Sequence, residues 1–288
     1  MTATILDGNV VLRRVKDELA ARVDKLVAGG VTPGLGTVLV GDDAASAKYI
    51  EMKQRNCREL GIDPIHHHIP ASGSQADLDE VIDRLNSDPA VDAYLVQLPL
   101  PPGFDQESTL LRIDPAKDVD GLHPVNLGHL VSGTAAPRPC TPAGIQALLV
   151  HYGVPIAGAD VVIIGRGLTV GKPLANLLSL KEANANAAVT LLHTGVADVA
   201  PYVKRADIVV AAAGSPGIVT ADMVKPGAAV VQTGTTITEE GRYLPDVEEA
   251  AREVAGWFSP VTGSVGPMTR AMLLTNCVMA AEARALRG

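Results

Sequence analysis

The sequence predicts a two-domain α/β protein, and three observations predict it. At a rough rule of about 100 to 200 residues per domain, its 288 residues leave room for two compact domains. Hydrophobic residues make up 47% of the chain but aromatic ones only 3%, so Ala, Val, Leu and Ile fill the core, as where sheets are covered by helices. Short apolar runs alternate with amphipathic stretches in two blocks, which implies parallel strands joined by right-handed crossovers.

Taken in order, Asn9 to Ala28 is an amphipathic helix with Val11, Val15, Leu19, Val23 and Leu26 near a 3.6 period, ended by Gly29-Gly30. Leu35 to Val40 is a buried strand, Ala44 to Leu60 a helix stopped by Gly61, and Ile62 to Ile69 is extended. Ser74 caps a helix to Asn86, with Asp77 in its first turn, and Val91 to Gln97 is a third strand. The pattern stops from Pro99 to Pro142, where eight prolines and little periodicity predict a functional loop or inter-domain passage. Thr141 caps a helix that runs to about Tyr152. Strands follow at Asp160–Ile164, Ala188–Leu192, Asp207–Ala211 and Ala228–Gln232, and Pro267 opens a last helix, Met268 to Arg287, expected to pack back across the first block.

Composition narrows the function classes. Charged residues are 19% with no long polar tract, so the chain folds. Lys and Arg number 24 against 32 Asp and Glu, a net charge of −8 that argues against nucleic acid as partner while leaving small anions free to bind locally. No apolar run approaches the roughly 20 residues of a membrane span. The start of the chain lacks a signal-like pattern, so a cytoplasmic protein is expected. Cys57, Cys140 and Cys277 are far apart in sequence, which predicts reduced thiols and no metal site. His66-His67-His68 looks metal-like, but alternate strand faces split the three, and a solvated strand is the reading preferred.

Two segments carry chemistry. The strand Val161–Ile164 runs into Gly165-Arg166-Gly167-Leu168-Thr169-Val170-Gly171-Lys172 and then a helix. Glycines there let the backbone approach a pyrophosphate, and the helix start supplies N–H groups and partial positive charge. The next strand ends in Leu192-His193-Thr194-Gly195 without the acid that usually binds an NAD ribose, whereas Arg166 and a hydroxyl suit a 2′-phosphate. NADP is therefore favoured. On the helix Ala44–Leu60, Ser46, Tyr49, Ile50, Lys53, Cys57 and Leu60 form one stripe with Lys53 in its middle. Either Lys53 snorkels to water, or it sits desolvated in a cleft beside Tyr49 and transfers protons. Val96-Gln97-Leu98-Pro99 at a strand end and Asp118-Val119-Asp120-Gly121 in the following loop converge on it.

Five ordered stretches resemble the bifunctional methylenetetrahydrofolate dehydrogenase/cyclohydrolase family over essentially the whole chain. They are Val40–Asp43 with Ser46, Tyr49 and Lys53; Val96–Pro101; Pro115–Gly121; Pro139–Pro142; and Val265–Thr269. The resemblance implies a catalytic folate-binding domain (1–140 and 265–288), a Rossmann-like NADP-binding domain (141–264) and a cleft between them. It implies tetrahydrofolate substrates, a homodimer, and a place in one-carbon metabolism and purine biosynthesis. By motif match Lys53 and Tyr49 do the proton transfer, Gln97 supports Lys53, and Asp120 binds the pterin. Leu98, Gly263 and Pro267 join Tyr49, Gln97 and Asp120 at the substrate, and the cofactor falls to Gly165, Arg166, Gly167, Thr169, Val170, Gly171, His193, Thr194 and Thr235. The chain departs from the family at Gln232, where an acid is common, at Pro245 and Ser264, where glycine is usual, at Thr262, where proline is usual, and at Gly167-Leu168. Ser264 and Thr262 remove a glycine and a proline from one loop, which is expected to be looser for it.

Overall fold

The structure is a computed structural model that describes residues 2–238 and 241–287, with the side chains of Thr235 and Ile237 left aside. The chain divides into two compact units, Met1–Leu12, Leu130–Thr134 and Thr141–Thr269 in one, and Arg13–His129, Ala135–Cys140 and Arg270–Gly288 in the other.

Up to Val96 the elements are β1 (Thr4–Ile5), α1 (Gly8–Ala28), β2 (Gly34–Val40), α2 (Ala44–Glu59), β3 (Asp63–Ile69), α3 (Gln75–Ser87) and β4 (Ala93–Val96). The last three strands form a parallel sheet in the order β3-β2-β4. Every residue of β2 is buried, as expected of a central parallel strand with both faces covered. Leu78, Ile82 and Leu85 of α3 pack with Val38, Tyr94 and Val96, each such burial contributing roughly 1.5–3 kcal/mol. Ser74 and Asp77 close a reciprocal capping box at the start of α3.

The proline-rich stretch is more ordered than its sequence suggests. It contains α4 (Gln106–Arg112) and α5 (Pro124–Ser132). Asp105 caps α4 by accepting from the N–H groups of Glu107 and Ser108. Between the helices, Tyr94 N–H donates to Lys117 and Val119 N–H donates to Tyr94, so this segment lies along β4 as a further strand-like edge.

The remaining elements are α6 (Cys140–His151), β5 (Asp160–Ile164), α7 (Gly171–Ser179), β6 (Ala188–Leu192), α8 (Ala200–Val203), β7 (Ile208–Ala211), β8 (Ala229–Gln232), β9 (Thr235–Ile237), β10 (Tyr243–Pro245), β11 (Trp257–Phe258) and α9 (Val265–Ala285). Six strands make a parallel sheet in the order β1-β11-β8-β7-β5-β6, and β9 and β10 form an antiparallel hairpin. Since β6 lies on one side of β5 and β7 on the other, the chain reverses its direction of build between β5 and β7, the crevice where open α/β sheets bind ligands. Residues 1–12 and 265–269, placed with the N-terminal domain by sequence, lie in this unit, with Thr4 and Ile5 paired to Trp257 and Phe258. Helix α6 begins at Cys140 and α9 at Val265, earlier than the proline positions suggest.

Candidate functional sites

In the unit that carries α2, Lys53 is 3% exposed and lies on a stripe with buried Ile50 and Cys57. It does not snorkel. Its Nζ donates to Gln97 Oε1 at 3.1 Å, and Gln97 Nε2 donates to the Leu98 carbonyl at 2.8 Å. The second bond settles the orientation of the first: with its amide protons turned to Leu98, Gln97 presents only an acceptor to the lysine. Gln97 in turn is fixed at the end of β4 by its N–H bond to Val38 of β2. The Lys53 Nζ stands 4.7 Å from the centroid of the Tyr49 ring, one helical turn away.

Burial holds the Lys53 ammonium below its ordinary value of 10.5, against the upward pull of Asp120, Cys140 and Cys57, and Arg270 adds to the lowering. Arg270 is itself buried at 9% exposure; its Nε donates to Asn56 Oδ1 at 3.2 Å, and among the described residues no carboxylate pairs with it. The site therefore holds two buried basic side chains, Arg270 and Lys53, and burial favours the neutral form of the lysine.

Two acids sit one residue apart and do different work. Asp118 accepts from the N–H groups of Gly121 and His123 and from Asn126 Nδ2, so it builds the loop. Among the described residues nothing donates to the Asp120 carboxylate, and burial pushes it above the usual range while Lys53 pulls it down. The Asp120 carbonyl accepts from Cys140 N–H at 3.1 Å, and Asn276 Nδ2 of α9 ties Val119 to Arg138, so both flanks of Asp120 are pinned. The sequence marked Asp120 by motif; nothing local to it told the free carboxylate from the structural one.

In the other unit, the β5–α7 loop has the form of a phosphate cradle. Gly165 has φ of +115°, and a Cβ there would lie 2.1 Å from the Ala212 carbonyl oxygen; one on Gly171 would lie 1.8 Å from that of Gly165. These two glycines are required by the backbone itself. A Cβ on Gly167 would meet nothing within 4 Å, so packing does not require glycine there. Among the described residues no side chain caps the start of α7; Arg166 and Thr169 are exposed, and Val170 is half-buried. Gly165 N–H bonds to Leu192, which brings the loop beside His193 and exposed Thr194 at the end of β6. The His193 ring accepts from Gly195 N–H at 3.1 Å. Thr235 starts β9, but its side chain lies outside the described residues.

Gly263 and Pro267 also belong to this unit, Gly263 in the turn before α9 and Pro267 in its first turn. The positive φ of that turn, +82°, falls on Gly263 and not on Ser264, and Gly263 accepts from Gly8 N–H at 2.9 Å and Asn9 Nδ2 at 3.2 Å. The turn is therefore held where sequence predicted slackness. Ser264 Oγ is buried without a hydrogen-bond partner among the described residues, and the third residue of the helix it precedes, Pro267, has no N–H to offer.

What sequence reasoning missed is Asp246 and Arg270, each buried and polar; Gln232, marked by sequence only as a departure, is buried beside Asp246. His66 and His68 are exposed and His67 is half-buried, and no three metal-ligating side chains gather among the described residues. No helix among them is long and apolar enough to cross a membrane.

The chain matches the catalytic domain of tetrahydrofolate dehydrogenase/cyclohydrolase over residues 6–120 and the NAD(P)-binding domain of the same enzyme over residues 139–285. It is 54% identical over 288 residues to the bifunctional protein FolD of Syntrophotalea carbinolica, covering 100% of this chain and 99% of that one. The structure superposes on the bifunctional FolD enzyme of Campylobacter jejuni with a TM-score of 0.93 at 39% identity, covering 98% of this chain and 99% of the other. It superposes on the Trypanosoma brucei enzyme, solved with NADP cofactor and an inhibitor, with a TM-score of 0.92 at 37% identity and full coverage of both. With both domains matched and a close relative aligned end to end, the chain belongs to the bifunctional tetrahydrofolate dehydrogenase/cyclohydrolase family and is an NADP-dependent methylenetetrahydrofolate dehydrogenase and methenyltetrahydrofolate cyclohydrolase.

Proposed function

We propose that the folate chemistry belongs to the unit of Lys53 and the cofactor to the unit of the six-stranded sheet, with the work divided among residues as follows. Asp120 takes the aminopyrimidine edge of the pterin, which offers two N–H donors to a carboxylate that has none among the described residues. Tyr49, Gln97 and Leu98 are assigned to the substrate with Asp120, and the family likeness assigns Gly263 and Pro267 to it as well. Gly165, Gly167, Thr169, Val170 and Gly171 cradle the NADP pyrophosphate, and Arg166 with His193, Thr194 and Thr235 takes the adenosine end and its 2′-phosphate. When bound, NADP accepts the hydride of the folate methylene carbon.

That loss leaves a methenyl carbon whose positive charge is shared by two folate nitrogens. A neutral Lys53 does not repel it. As water adds to the carbon, the lysine lone pair takes a proton from the water; the same proton is then returned to N5 as the carbon–N5 bond breaks. The hydroxyl proton leaves as the carbonyl forms, so 10-formyltetrahydrofolate and one proton are the products. The observation that carries this reading is the one fixed acceptor for Lys53 among the described residues, Gln97 Oε1, set against a buried amine: it uses one N–H and leaves the nitrogen lone pair of the neutral form for the reaction. Substituting Lys53 by Met tests it, and methenyl hydrolysis at the parent rate would refute it.

The family likeness also supports a cytoplasmic homodimer that supplies formyl groups to purine biosynthesis. Sedimentation at assay concentration tests the dimer, and a monomer active in both reactions would overturn it.

A further inference from the structure

We propose that Asp246 is a positioning residue of the cofactor site, whose carboxylate fixes the Ala212–Ser215 loop as the second wall of the crevice between β5 and β7. The inference rests on the reading that the β5–α7 loop takes NADP. Asp246 is 0% exposed. One of its oxygens accepts from the N–H groups of Ala213 at 2.7 Å and Gly214 at 3.0 Å, and the other from Ser215 N–H at 2.7 Å. Three successive N–H groups aimed at one anion form the kind of nest that elsewhere holds a phosphate; here the chain fills it from within. No cation pairs with the carboxylate among the described residues, so these donors carry its charge.

The carboxylate is held from behind. Asp246 N–H donates to Gly234 at 3.2 Å, its carbonyl accepts from Val219 N–H at 3.0 Å, and Gly217 N–H bonds the neighbouring Pro245 at 3.0 Å. The Gln232 side chain joins in by accepting from Val247 N–H and donating to the Gly234 carbonyl. Gly234 must be glycine for this to work, since a Cβ there would stand 1.9 Å from the Asp246 oxygen. The anchored side is the hairpin end, and the dependent side is the loop after β7. That loop holds the Ala212 carbonyl in the space a Cβ of Gly165 would fill, so the phosphate loop and the second wall share a contact. With its three N–H groups spent on Asp246, the second wall has none of them left for phosphate, which leaves the pyrophosphate to the Gly165–Gly171 loop.

The test uses the full-length protein. NADP is titrated by calorimetry into the parent, Asp246→Asn and Gly234→Ala, and each is assayed for methenyl hydrolysis, which consumes no NADP. Asn keeps the shape but turns an NH2 toward one set of donors; Ala displaces the carboxylate without changing its charge. The dissociation constant for NADP is expected to rise about tenfold or more in both, exceeding any loss in hydrolysis by about that factor. Unchanged NADP affinity in either folded variant overturns the proposal, and so does an equal loss in affinity and hydrolysis, or failure of both to fold, since each would mark a structural role alone. Gly171→Ala is the companion: if it too leaves NADP affinity unchanged, the cofactor reading fails, whereas a weakened Gly171→Ala beside an unaffected Asp246→Asn sinks only the inference.

Discussion

Replacing Lys53 with Met separates chemistry from stability because the structure assigns the amine so few partners. The side chain gives up one hydrogen bond, to Gln97 Oε1, and one ring contact, to Tyr49. Gln97 is half-buried and water can replace the lost donor, so the cost is about 0.5–1.5 kcal/mol. Against it, Met of similar length fills the apolar stripe and carries no amine to desolvate. The variant should therefore fold at least as stably as the parent at neutral pH, and its advantage should grow as the pH falls from 10.5. Above pH 10.5 the lysine is neutral in folded and unfolded chains alike. As the pH falls from there toward the lowered folded value, the unfolded chain takes a proton that the folded chain refuses, and the parent loses stability; Met takes none. Catalysis moves the other way. A positioned proton-transfer group contributes about 10²–10⁴-fold, or roughly 3–5 kcal/mol, and this should vanish from methenyl hydrolysis while hydride transfer is largely kept. Decay of the methenyl chromophore and denaturant melts at two pH values read both halves. Hydrolysis at the parent rate in a folded variant would refute the argument.

Arg270→Met removes a cation that helps to depress Lys53, so the rise of methenyl hydrolysis with pH should move to higher pH, and Arg270→Lys should restore it; a lower rate with an unmoved profile would assign Arg270 a packing role only. Arg166→Ala should raise the KM for NADP about tenfold or more, the loss of one charge-assisted contact, with little change for NAD; equal losses would argue against a 2′-phosphate there. Ser264→Ala deletes a buried hydroxyl that has no partner among the described residues and should stabilise the chain by about 1 kcal/mol, read as a Tm rise of roughly 2–4 °C; a lower Tm would show that the hydroxyl is satisfied in solution.

The elements that sequence revealed are those whose burial is periodic. Strand β2, helix α2 and the capping box of α3 each carry their own signal, so their ends fall within about a residue of expectation. Helices α4 and α5 are 7 and 9 residues long and lie between prolines, too short for a period to stand out. Strands β1 and β11 are 2 residues each and exist through pairing across some 250 positions, which no local window sees. The site divides in the same way. Lys53 announced itself as a charge on an apolar stripe. Asp246 did not, because an acid after proline near a chain reversal reads as a turn, and only the fold brings Ala213–Ser215 to it.

The departures from the family acquire a physical meaning once these contacts are known. An acid at position 232 has oxygens that only accept, but the place it would occupy presents both the Val247 N–H and the Gly234 carbonyl. Glutamine meets one with its oxygen and the other with its nitrogen, so the exchange satisfies both groups without a buried charge close to Asp246. Pro245 fits beside it for a related reason. In the β9–β10 hairpin its carbonyl is the atom in use, bonded by Gly217 N–H, and a ring that fixes φ restricts the residue that aims Asp246. Ser264 leaves the positive φ of its turn to Gly263, which is still glycine. These three changes therefore fall around Asp246 and on the turn before α9, while Lys53, Gln97 and Asp120, which match the family's motifs, are kept. A chain drifting toward a mere binder has no reason to hold a buried lysine at the cost of its desolvation, and this chain holds it, with a second buried cation nearby that makes the neutral form easier still.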